Sequence, residues 1–135
     1  MIRIILGVVA GFIAWSIIWV GSDQLLHTFS PGWYGAHQDA TALAVENGEA
    51  FRADTSILLI GLLRSAITTI MAGFIAAVVA AENRRSTLIL GIILLIVGIA
   101  VQVHLWNVFP IWFHLIFWLM LIPLSILGGR MKQTA

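Results

Sequence analysis

Long apolar runs separated by short polar punctuation set the pattern of this chain. The last third is the densest: Ser86 to Gly129 is almost wholly apolar and is interrupted once, at Trp106-Asn107-Val108-Phe109-Pro110. A helix crossing a membrane takes about 20 mostly apolar residues at ~1.5 Å of rise each. This stretch is too long for one crossing and suits two, so it predicts a tight helical hairpin. Two further runs precede it. The expected fold is all-α: a polytopic membrane protein built as a four-transmembrane-helix bundle, one domain over residues 1–135. Its spans are expected at about 2–26, 56–81, 87–106 and 110–127, with an outer loop at 28–55.

Small residues recur inside the runs. The first span carries Gly7-Val8-Val9-Ala10-Gly11, a pattern that lets a neighbouring helix approach closely. The second has a stripe of Gly61, Ser65, Thr69, Ala72, Gly73, Ala76 and Ala80 at steps of three or four. The third places Gly91 and Gly98 on one face. In the fourth, Pro110 suits a first helical position, Pro123 is expected to kink the helix, and Gly128-Gly129 to close it before a basic tail from Arg130 to Ala135. Within the polar segment, Ser30-Pro31-Gly32-Trp33-Tyr34-Gly35 reads as a turn with two aromatics at headgroup level. Asp39 to Val45 reads as a short interfacial helix ended by Asn47-Gly48. Ala10-Gly11-Phe12-Ile13-Ala14 recurs as Ala72-Gly73-Phe74-Ile75-Ala76, which is read as shared membrane composition rather than an inverted repeat.

Composition agrees with a membrane class. The chain is 61% hydrophobic and 10% charged, well below the quarter or so of charged residues in soluble domains. With no cysteine, disulfides and thiolate metal sites are excluded. A net charge of +1 gives no basis for a nucleic-acid partner. The apolar run after Met1-Ile2-Arg3 is longer than a signal-peptide core and lacks a small-x-small cleavage site, so it reads as a retained first span. Arg3, Arg84, Arg85, Arg130 and Lys132 fall on one side of the expected topology, against Arg52 alone in the opposite loops. This bias predicts both termini in the cytoplasm of a cell whose inner (plasma) membrane holds the chain.

The candidate chemistry lies in one band. Asp23, Arg64, His104 and His114, one per span, each stand about 16–20 residues from a basic anchor, roughly 24–30 Å away at helical rise. His27 lies one turn beyond Asp23, and Gln102 is near His104. A charge within a span needs a partner, and the expected partner of Arg64 is Asp23, as a structural register or as part of a ligand or ion pathway. All four histidines, His37 included, lie on the outer side, and imidazole binds zinc, copper and haem iron. Asp23 and His27 share a helix face as two ligands of such a site. No compact metal motif accompanies them, so no metal or other cofactor is assigned. Trp33, Trp106 and Trp112 fit an outer aromatic belt, with Trp15, Trp19 and Trp118 deeper.

The chain carries Gly7 to Phe12 leading to His27, a Pro-bearing outer loop, and Ala72 to Ala76 leading to Arg84-Arg85. It ends with Phe109 to Phe113 followed by Leu121-Ile122-Pro123-Leu124 and Leu127 to Arg130. In these features it resembles a broad group of uncharacterised small bacterial four-span membrane proteins. The resemblance implies the topology and no activity. Three functional expectations follow from the residues. The first is a small integral membrane protein acting as a homo-oligomer or as an accessory or structural subunit of a membrane complex. The second is a small oligomeric transporter or channel using an Asp23/Arg64 polar layer. The third is metal or haem binding by the outer histidines. No catalytic set is legible, so an enzyme is not expected, and the expected partners are the lipid bilayer and other membrane chains.

Overall fold

The computed structural model describes residues 2–48, 54–106 and 108–134, so Arg52, the lone basic residue of the opposite loops, and Asn107 of the hairpin turn lie outside it. Among the described residues five α-helices follow one another: α1 Ile2–Phe29, α2 Ala36–Asn47, α3 Thr55–Ala80, α4 Arg85–His104 and α5 Ile111–Thr134. A single π-helical turn, Pro31–Gly35, joins α1 to α2. No strand occurs among the described residues. α1, α3, α4 and α5 are each long and apolar enough to cross a membrane, which makes the chain an all-α four-helix bundle with multi-pass character.

Local chemistry sets the boundaries. α3 starts where the Asp54 carboxylate accepts the Ser56 N–H at 2.8 Å. It stops at Ala81, whose left-handed backbone (φ 57°) turns its own N–H back to the Val78 carbonyl at 3.3 Å, while the Glu82 N–H bonds Ala77 at 3.2 Å. α4 opens under Glu82, whose carboxylate accepts the N–H groups of Arg84 (3.1 Å), Arg85 (2.9 Å) and Ser86 (2.6 Å). Burial opposes ionisation of Glu82, but these bonds outweigh it and hold its pKa at about 2. α2 ends at Gly48 (φ 66°).

α1 continues to Phe29, beyond the expected span, and in its last turn the Thr28 hydroxyl donates to the Gln24 carbonyl at 2.9 Å. One expectation at a helix end is corrected. α5 does not close at Gly128-Gly129 but continues to Thr134, with Pro123 inside it. The two glycines serve packing instead. A methyl group on Gly128 would collide with the Ile70 backbone, and one on Gly129 with Thr87, so both let α5 lie directly on its neighbours.

The other small residues do the same work elsewhere. A side chain at Gly7 would meet the Ala76 carbonyl at 2.5 Å and Ala80 Cβ at 2.7 Å, and one at Gly11 would meet Leu90 and Ala76. Gly73 sits on the Ser125 backbone, and a Cβ on Gly91 would meet the Ile122 backbone at 3.0 Å. α3 is thus clamped between α1 and α5, and α4 leans on α5, where the Ser125 hydroxyl also donates to the Thr87 carbonyl at 2.9 Å. α1 and α4 touch much less. The two Ala-Gly-Phe-Ile-Ala segments meet antiparallel across α1 and α3, yet Gly11 faces α3 while Gly73 faces α5, so the two glycines are not equivalent.

The same contacts put Arg3, Arg84, Arg85, Arg130 and Lys132 at one end of the bundle, here the basic end. At this end Ala72, Ala76, Ala80 and Leu90 are buried in the interior. At the opposite, distal end α2 is tied by side-chain hydrogen bonds to α1 and to the start of α3.

Candidate functional site

Arg64 enters the distal half from the middle of α3, where a bare guanidinium in an apolar medium would be costly. The structure supplies it with partners on three sides. Its Nε donates to the Ser22 hydroxyl at 2.9 Å, Nη2 to the Trp19 carbonyl at 2.8 Å, and Nη1 to the Tyr34 hydroxyl at 2.6 Å. The guanidinium carbon also lies 4.1 Å from the centre of the Trp19 ring, close enough for a cation–π contact. The expected Asp23 partner is present at 3.8 Å from Nη1. The bond between them passes mainly through Tyr34, whose hydroxyl donates to Asp23 Oδ1 at 2.7 Å while it accepts from Arg64.

Tyr34 is therefore the residue the sequence reading misplaced. Trp33 is exposed at 47%, as suits a headgroup position, but its neighbour Tyr34 is 1% exposed and turned into the bundle. The π-helical turn makes the difference: Ser30 starts it with its hydroxyl accepting the Tyr34 N–H, and the extra residue per turn rotates the phenol inward. Burial, followed by the bond to Asp23, raises the Tyr34 pKa above the usual phenol value, so it stays a hydroxyl at physiological pH. The signal available in the sequence was its being the sole tyrosine, placed just past Pro31-Gly32.

The network continues onto α2. The Gln38 amide donates to Asp23 Oδ1 and to the Tyr34 hydroxyl, both at 3.4 Å, and its Oε1 faces His37 Nδ1 at 3.0 Å. His37 Nε2 accepts the backbone N–H of Asp54 at 3.0 Å, which ties α2 to the start of α3.

The remaining band residues divide into separate places. Gln102 and His114 are joined by a short hydrogen bond between Oε1 and Nδ1 that links α4 to α5. His114 is fully buried, stacked on Trp106 with ring centres 4.8 Å apart and flanked by Trp118, Phe109 and Phe113. Its Nε2 and the Trp118 Nε1 have no hydrogen-bond partner in the structure. His27 pairs instead with Asp39 of α2 at 3.1 Å, so Asp23 and His27 do not act together as the two-ligand face expected from their spacing. His104 is exposed at the end of α4. Among the described residues, no three His, Cys, Asp or Glu side chains gather where a metal ion would sit.

Between the Arg64 cluster and Gln102 lies a cavity of about 620 Å³. Its walls are mostly apolar: Trp15 and Trp19 of α1, Leu94 and Val101 of α4, Phe113 and Phe117 of α5. Trp15 and Trp19 are stacked 5.4 Å apart, and the Trp15 indole N–H is fixed by the Thr69 hydroxyl at 3.1 Å. One side is polar, with Asp23, Tyr34 and Arg64 on the bundle and Gln38, Thr41 and Glu46 on α2 above. Toward the basic end, the buried side chains of Ala72, Ala76 and Leu90 lie beyond its walls. Compared with protein-family models, with curated proteins and with solved structures, the chain matches none. The site therefore has to be read from its own geometry. That geometry is an apolar chamber of ligand size with hydrogen-bonding groups converging from one side, the usual form of a small-molecule site.

Most of the small residues behind the expectation of self-association make contacts within one chain, while Gly61 lines the cavity. Gly7 and Gly11 face α3, Gly73 faces α5, and Gly91 and Gly98 face α5 from α4.

Proposed function

We propose that this chain is a binding protein of the bacterial inner (plasma) membrane, with both termini cytoplasmic, that holds a small amphiphilic molecule in its outer half. The apolar part of the ligand occupies the chamber between Trp15, Leu94 and Phe117. Its polar end meets the Asp23–Tyr34–Arg64 cluster under α2. The observation that carries this reading is the cavity itself, about 620 Å³ and mostly apolar, with most of its polar groups gathered on one side and Gln102 opposite, within the ~300–1,000 Å³ range of ligand pockets. The work is capture or transfer rather than bond-making, since Asp23 and Arg64, the charged groups of the helix wall, are engaged with one another through Tyr34.

This reading descends from the transporter expectation, but it places the site inside one chain and asks for no second copy to form a wall. The accessory-subunit expectation is compatible with it if a partner delivers or receives the ligand. The test uses protein in lipid nanodiscs, titrated with single-chain amphiphiles and followed by thermal unfolding. A ligand at a hundredfold excess over its Kd stabilises by about 2.7 kcal/mol. A methyl group at Gly61 would meet only the Phe113 ring, at 3.8 Å, so Gly61→Leu adds its side chain at the chamber wall and takes up part of the space. Loss of the stabilisation in Gly61→Leu supports the reading. Equal stabilisation of both proteins, or of neither, overturns it.

A further inference from the structure

The cavity has a side door. α1 and α4 are held together where Gly11 meets Leu90, toward the basic end, and are otherwise the loosely joined pair of the ring. On the distal side of that contact both helices line the cavity, α1 with Trp15 and Trp19 and α4 with Leu94, Val97 and Val101. Leu94 is 2% exposed and forms the inner wall, but Val97 and Val101 are 37% and 49% exposed while lining the same space. A residue that is both in the wall and on the outer surface marks the rim of an opening. This rim lies within two membrane-spanning helices, so what stands outside it is hydrocarbon rather than water. At the distal end α2 is tied down by His27–Asp39, by Gln38 on Asp23 and by His37 on Asp54, and its exposed Ala42, Val45 and Glu46 form a second, polar-edged rim there.

Resting on the binding reading above, we infer that the occupant is a bilayer lipid, one of whose acyl chains enters sideways between α1 and α4. The chamber behind the rim is lined by aliphatic and aromatic side chains, which suit a hydrocarbon chain. The polar side lies toward the distal end, where the headgroup of a lipid in that leaflet would stand. No aqueous path is needed: the chain exchanges one apolar medium for another, and the headgroup exchanges interfacial partners for Gln38, Thr41 and Asp23.

The test is photocrosslinking in phosphatidylcholine vesicles doped with a phosphatidylcholine carrying a diazirine in one acyl chain. Adducts are mapped by mass spectrometry. Leu94 and Phe117 are 2% and 4% exposed and face the chamber, so lipid surrounding the protein does not reach them. Leu119 at 73% and Ile96 at 62% face outward and report that surrounding lipid. The expected result is adducts on Leu94 or Phe117 in addition to the outward positions. These fall about tenfold in Val97→Trp and in Val101→Trp, equivalent to a tenfold weaker affinity, while the outward adducts persist. Both substitutions are at exposed positions, so either serves if the other folds poorly. Adducts confined to outward residues would overturn lipid entry. Adducts on Leu94 that are unchanged in both tryptophan variants would overturn the α1–α4 route. In either case, stabilisation by a water-delivered amphiphile that Gly61→Leu abolishes would leave the binding reading standing, whereas its absence would remove both.

Discussion

The Tyr34 hydroxyl lies 2.6 Å from Nη1 of Arg64 and accepts a hydrogen bond from it, joining the π-helical turn after α1 to the middle of α3 across 30 residues of chain. The same hydroxyl donates a hydrogen bond to Asp23, so one phenol serves two charged groups at once. Tyr34→Phe leaves both without that partner and is expected to destabilise the protein by about 1.5–3 kcal/mol, the range for hydrogen bonds to charged groups. Denaturant or thermal unfolding in detergent measures it. A double-mutant cycle with Asp23→Asn should return a coupling of about 0.5–3 kcal/mol; strict additivity would show that Tyr34 does not connect the pair.

Gln102 and His114 form the equivalent link between α4 and α5, but in a dry aromatic setting. Gln102→Leu strips the last hydrogen bond from a fully buried imidazole and should cost about 1–3 kcal/mol. Adding His114→Phe removes the orphaned polar ring and keeps its stacking on Trp106, so the double variant should recover most of that loss. A double variant no more stable than Gln102→Leu alone would contradict this account.

Glycines in α1 should differ sharply in their tolerance. The methyl of Gly7→Ala would stand 2.5 Å from the Ala76 carbonyl, forcing α1 and α3 apart at a cost of about 1–3 kcal/mol. A methyl group on Gly21 would meet nothing within 4 Å, so Gly21→Ala should be neutral or stabilising by up to about 1 kcal/mol. Parallel melting curves of the two variants decide the matter.

Glu82 gives the protein an acid-sensitive joint. Its carboxylate titrates at about 2 in the folded chain against an ordinary 4.5, because the N–H groups opening α4 bond the ionised form. A depressed folded pKa means that its stabilisation is complete above pH 4.5 and is lost as the pH falls through 2. Unfolding measured across that window should show the wild type losing stability more steeply than Glu82→Gln. Parallel curves for the two would argue against the cap.

Five residues of known charge explain why the topology was legible in advance. Arg3, Arg84, Arg85, Arg130 and Lys132 mark the same ends of helices that apolar length alone delimits, and the structure gathers them at one end. The depth count from them also placed Asp23 beside Arg64, because helical rise converts sequence separation directly into height. What height cannot give is azimuth. His27, His104 and His114 lie near the same level, yet one pairs with α2, one is exposed and one is sealed among aromatics.

The sequence by itself determined the number of spans, their polarity and the level of the polar residues, because these depend on composition and on a fixed rise per residue. Only the tertiary structure decided which residues meet. The π-helical turn sends Tyr34 inward, most of the glycines pack against neighbouring helices of the same chain, and a cavity stands between α1, α4 and α5 in the distal half. Those outcomes rest on how helices rotate and lean against one another, which is set by packing between segments distant in the chain.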